Sequence, residues 1–188
     1  MVAFASGAPT IQRRETIIPG DGSYVELGAI APSFFISVDT SSCADVYGRM
    51  SYASIGKVHG GSEIKTYVSF DVPAAGASMP GVNANTKCFL APLPDNISGS
   101  PFIDTFSLLP GFTLPSTLTC SAYGSDQNLA RLTYGPPPHG VDVVSIDNFV
   151  TVPCNWGGKQ EFLVRATGDD ASAYFNGLDS MALVIANI

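Results

Sequence analysis

Charge is what this sequence has least of. Asp, Glu, Lys and Arg together make up 13% of its 188 residues, about half the share usual in a soluble domain. A surface that sparse in charge has to be buried by neighbouring subunits or kept wet by Ser, Thr and Asn. Basic side chains are the scarcer sign, nine against sixteen acidic ones, for a net charge of -7. That balance argues against a dedicated nucleic-acid-binding domain, whose affinity would come from neutralising phosphates. Contact with nucleic acid is then local or weak, and the nearest basic element is the pair Arg13 and Arg14, followed at once by Glu15.

Long hydrophobic runs are missing too, so no membrane partner is expected. Residues 1–8 have neither a basic n-region nor an apolar h-region, which gives the expectation of a soluble chain made without export. Histidine is limited to His59, in a glycine turn, and His139, after three prolines. Neither has a carboxylate at triad or ligand spacing, and no Gly-x-Ser-x-Gly elbow is present, so a histidine-based hydrolase is not expected. No glycine-rich segment opens a helix to cradle a phosphate. Glutamate occurs only at 15, 26, 63 and 161, which makes a paired-carboxylate glycosidase unattractive. The expectation is a protein that is not an enzyme and takes no cofactor.

The four cysteines, Cys43, Cys88, Cys120 and Cys154, are 45, 32 and 34 residues apart. That matches no zinc or redox spacing, and they read as buried reduced thiols, with one disulfide as the alternative. The sequon Asn96-Ile97-Ser98 reads as a coincidence in a loop. Oxygen ligands are densest at Asp169 and Asp170, with Asn176 and Asp179 beyond, but the EF-hand register is lacking. A solvated acidic turn is the expectation there, and no metal site.

What the chain does have is 19 Gly and 14 Pro, cutting short apolar, β-branched and aromatic runs at close intervals. Residues 1–22 have little periodicity and read as an N-terminal arm; 23–188 reads as one domain. Strands are expected at 24–28, 34–38, 46–57, 63–72, 87–93, 114–123, 129–134, 141–150, 161–167 and 181–187. The segment 97–111 reads as irregular with a helical turn near Asp104, and Gly168 to Ser172 as a connecting loop. Taking 24–38 as one strand kinked at Ala31-Pro32, with or without the short 129–134, gives about eight or nine strands, and with long connections and no substantial helix the class is all-β. The architecture expected is an antiparallel β-sandwich, in the form of an eight-stranded jelly roll.

The arm, the strand count, the Pro/Gly/Ala-rich loops at 73–82 and 92–101 and the apolar final strand at 181–188 together resemble a single jelly-roll viral coat protein. Such proteins occur in icosahedral positive-strand RNA viruses of plants and in the picorna-like group. The resemblance implies a structural capsid subunit that self-assembles into a virion shell enclosing RNA, with or without a second coat subunit, and is assembled in the host cytoplasm. Many such proteins carry a strongly basic arm, whereas here only Arg13 and Arg14 would contact RNA from that segment. Arg49, Lys57, Lys65 and Arg131 are further cations able to face a shell interior. The alternative is a fibre or spike head, or another sugar- or receptor-binding sandwich. Its face would hold Trp156, Tyr134 and the loop 135–140. Trp156, the only tryptophan, is the candidate interface or ligand anchor, with capping of the sandwich end as its plain structural role.

Overall fold

The computed structural model describes residues 25–76, 79–93, 97–99, 102–109, 112–120, 125–134, 141–143 and 151–188. Arg13, Arg14, the arm, His139, Asn96 and the loop 135–140 lie outside them. Fifteen strands follow one another: β1 (Val25–Ile30), β2 (Phe34–Asp39), β3 (Tyr47–Gly48), β4 (Ala53–Lys57), β5 (Glu63–Asp71), β6 (Thr86–Pro92), β7 (Ile97–Gly99) and β8 (Phe102–Leu108). Then come β9 (Thr117–Leu118), β10 (Ser125–Tyr134), β11 (Val141–Val143), β12 (Val152–Pro153), β13 (Lys159–Ala166), β14 (Ala171–Phe175) and β15 (Met181–Asn187). One 3-10 turn, Leu178–Ser180, precedes β15.

The strands form antiparallel sheets. A four-stranded sheet runs β1-β15-β6-β12, and a larger one runs β11-β10-β8-β13-β5-β4-β14-β7, with β2 also paired to β5. Eight of these strands carry the wrap. Counting β1, β5, β6, β8, β10, β12, β13 and β15 as first to eighth, the small sheet pairs first with eighth and third with sixth. The large sheet pairs second with seventh and fourth with fifth. Such nested pairing across two sheets is a jelly roll, so the fold is an all-β antiparallel sandwich. Of the remaining short strands, β2, β4, β14 and β7 extend the large sheet beyond β5, β11 lies at its other edge beside β10, and β3 and β9 form a small pair.

Alternation along the strands explains which faces meet. Val68 and Phe70 on β5 and Phe162 and Val164 on β13 point into the sandwich. There they join Phe35, Ile55, Ile103, Leu132 and Phe175 from the large sheet and Cys88, Leu90, Leu183 and Ile185 from the small one. The intervening Tyr67 and Leu163 point out of the large sheet, as a period of two requires. Each large side chain buried this way contributes about 1.5–3 kcal/mol relative to exposure. β15 is central in its sheet and buried on both sides from Met181 to Ala186, hence its unbroken apolar sequence.

The outer face of the large sheet carries a second apolar cluster. Phe34, Ile36, Val38, Tyr67 and Leu163 are roofed by Leu114 and Leu118 from the strap 112–120. Three devices hold the strap. β9 pairs with β3 through Tyr47↔Leu118 and Gly48↔Thr117. Glu161 Oε2 accepts the backbone N–H of Leu114 at 2.8 Å, while Oε1 accepts Ser69 Oγ at 3.0 Å. Cys120 is bridged to Cys43, with Cα atoms 4.6 Å apart.

Several expectations are corrected. The cysteines are not reduced thiols, nor is there a single bridge: Cys43–Cys120 and Cys88–Cys154 are both disulfides. Residues 102–108 form β8, a strand flanked on both sides by β10 and β13, instead of an irregular segment with a helical turn. Its polar Asp104 is tolerated because Arg131 on β10 binds it from the neighbouring strand. Of the strand expected at 114–123, the described part, 114–120, holds only the two residues of β9, since Pro115 interrupts the ladder of the strap, and 121–123 lies outside the described residues. Ala171 to Phe175 is a strand, β14, where a connecting loop had been expected to run as far as Ser172. Of the strand expected at 141–150, Val141–Val143 is present and 144–150 lies outside the described residues.

Candidate functional site

Trp156 sits where the chain turns from β12 into β13. Its side chain is half-buried and packs against the main core. The turn is fixed by Trp156 N–H to Cys154 C=O at 3.1 Å and Gly157 N–H to Pro73 C=O at 3.1 Å. Gly157 has φ +71°, a conformation open to glycine at no steric cost. Two residues before the Trp, Cys154 is bonded to the fully buried Cys88 on β6. The ring thus packs on the core beside a covalent staple.

The acidic turn is tied to the end of β4 and the turn after it by Lys57 and His59. Asp169 accepts Lys57 Nζ at 2.9 Å through one carboxylate oxygen and lies 2.8 Å from His59 Nδ1 through the other. Asp170, at φ +61°, accepts the His59 backbone N–H at 3.1 Å. The hydrogen bond from Lys57, then that from His59, hold the Asp169 carboxyl below its ordinary range. Among the described residues no three His, Cys, Asp or Glu side chains come together to hold a metal ion.

Cations named from the sequence are dispersed. Arg131 grips Asp104 with two N–H groups, at 2.7 and 3.0 Å, and Arg165 grips Glu63 in the same bidentate way. Both pairs lie on the outer face of the large sheet. Lys65 stands in the same region, its ammonium 5.9 Å from the Tyr67 ring centre, and burial pushes its pKa down. Lys57 belongs to the acidic turn.

Arg49 is different: no ion pair engages it among the described residues, and its guanidinium lies 4.2 Å from the centre of the Phe34 ring. Lys159 Nζ is 5.7 Å from that ring and 2.6 Å from Asp71 Oδ1. Together with Ser33, Met50, Ser51 and Leu178 these residues line an open cleft of about 410 Å³. It unites the start of β2, the link after β3, the end of β5, the start of β13 and the 3-10 turn. Sequence reading noted Arg49 only as a loose cation and missed the cleft, whose parts are scattered from residue 33 to 178.

Large apolar side chains also remain at the surface. Val25, Val46, Val58, Phe102, Leu109 and Ile188 are exposed. Tyr52 and Tyr174 are exposed as a pair with ring centres 6.1 Å apart. No protein-family model matches the chain, and no curated protein matches it either.

Proposed function

We propose that this chain is a structural coat protein that self-assembles into a closed icosahedral shell enclosing RNA. The observation that carries the reading is the jelly-roll wrap combined with a charge-poor exterior bearing apolar side chains at several separate places, among them Val46, Val58, Phe102 and Leu109. Exposed apolar side chains contributed by separate elements suit a subunit that meets several neighbours, where heterologous contacts close a shell. The ion pairs Arg131–Asp104 and Arg165–Glu63 neutralise the large-sheet face from within, so RNA contact falls to cations outside such pairs, Arg13 and Arg14 included.

Two disulfides are disfavoured in a reducing cytoplasm and persist at virion surfaces. Assembly in the host cytoplasm therefore implies that the bridges close late, after the particle leaves it. The test is sedimentation of the wild-type chain beside Val58→Asp and Phe102→Asp, both surface changes that leave the core intact. Shell assembly predicts fast-sedimenting particles for the wild type and slow folded subunits for the variants. Identical slow species for all three would reject it.

A recognition module is favoured by one observation, the exposed Tyr52 and Tyr174 pair, since two neighbouring aromatic faces can stack on a sugar. On that reading a glycan array should give binding that Tyr174→Ala removes, with the oligomeric state unchanged.

A further inference from the structure

We infer that the cleft between Arg49 and Lys159 binds a phosphate group, carried by a nucleotide or by the RNA backbone. The position of Arg49 is set by rigid backbone, since Phe35 and Met50 exchange N–H to C=O bonds of 2.9 and 2.8 Å across the residue next to it. A guanidinium over a ring face is held by the ring's negative quadrupole and keeps its N–H edges free for an oxyanion. Lys159 adds a compact ammonium above the same ring.

Charge in the cleft is two cations against one carboxylate, on a chain whose net charge is -7. Asp71 is occupied by Lys159 at 2.6 Å and by Ser33 Oγ at 2.6 Å. Glu161, two residues beyond Lys159 on the same face, keeps its charge, but it does not line the cleft and its oxygens are turned to Ser69 and Leu114. One further negative charge completes the balance. A carboxylate would be satisfied by the Arg fork alone, whereas a phosphate has enough oxygens to meet the fork and the ammonium together. Phe34 is only 6% exposed and already covered by cations, so no base stacks on it. Recognition then goes to the phosphate and is indifferent to base identity.

The RNA arm of this inference rests on the coat-protein reading; the phosphate chemistry does not. The test is calorimetric titration of the full chain at low salt with sodium phosphate, AMP, UMP, adenosine and a short oligouridine RNA. Saturable binding is expected for every phosphate-bearing probe and none for adenosine, with AMP and UMP within about threefold of each other. Arg49→Gln should weaken AMP binding by about tenfold or more, and Arg49→Lys, which keeps charge but loses the fork, should fall between. For the RNA, Arg49→Gln should lower the slope of log affinity against log salt by about 0.7. An unchanged slope together with weakened AMP binding assigns the site to free nucleotides and removes the RNA arm. Binding unaffected by Arg49→Gln in a chain with wild-type thermal midpoint, equal binding of adenosine, or no saturable binding of any phosphate would overturn the inference. Failure of the wild-type chain to form particles would count against the shell and leave the AMP titration decisive for the cleft.

Discussion

Glu161 accepts hydrogen bonds from a serine on the neighbouring strand and from the backbone of Leu114, so one carboxylate couples the large sheet to the strap that roofs it. Glu161→Ala leaves that N–H without its partner and should lower stability by about 1–3 kcal/mol, read as a shift in the urea midpoint. Trp156→Ala opens a gap against the core. Because the ring is only half-buried, the expected loss is about 2 kcal/mol, below that of a fully buried aromatic, with a corresponding fall in thermal midpoint. Asp71 supplies a pH signature. The hydrogen bond from Lys159, then that from Ser33, hold its carboxyl below the ordinary value. The folded state thus binds this proton less readily than the unfolded chain. The contribution is complete above about pH 4, the unfolded carboxyl range, and is lost as pH falls through the lower folded value. The side chain is 67% exposed, so screening keeps the effect to a fraction of a kcal/mol. Unfolding midpoints of wild type and Asp71→Asn should differ slightly at neutral pH and converge in acid.

At the scale of elements, the two disulfides tie different layers. Cys88–Cys154 joins β6 to the end of β12 within the core, while Cys43–Cys120 clips the strap to the loop after β2, with Cys43 at the surface. A thiol reductant followed by alkylation should therefore label Cys43 and Cys120 first, and Cys88 and Cys154 only on unfolding. Replacing Cys43 and Cys120 by Ser should cost about 2–4 kcal/mol for a bridge that closes so long a loop. The edge strand β7 depends on Gly99, whose φ is +105° and where an added Cβ would collide with the Ser172 carbonyl of β14. These elements also mark what the sequence could disclose. β5, β13 and β15 were legible because alternation or continuous apolarity is a local signal. β8 was not, because Asp104 looks like a loop residue until Arg131, 27 positions away, is placed beside it. β14 follows two aspartates and begins with small residues, a pattern that reads as a turn. Bridges spanning 77 and 66 residues carry no spacing signature, since only the wrap of the sheets brings those cysteines together. The cleft was hidden for the same reason: Phe34, Arg49, Asp71 and Lys159 become neighbours through strand order alone, and Arg13 and Arg14 lie outside the described residues.

For the whole molecule, the low charge noticed first in the sequence and the apolar side chains left at the surface describe one property, a surface with little charge to keep copies apart. The jelly roll gives that surface a two-sheet frame, which the disulfides Cys43–Cys120 and Cys88–Cys154 tie together. The most direct measurement is negative-stain electron microscopy of the purified wild-type chain, paired with its absorbance ratio at the nucleic-acid and protein maxima. Coat-protein assembly predicts uniform closed particles with a nucleic-acid contribution to the absorbance. Discrete monomers or trimers across salt and pH would contradict it.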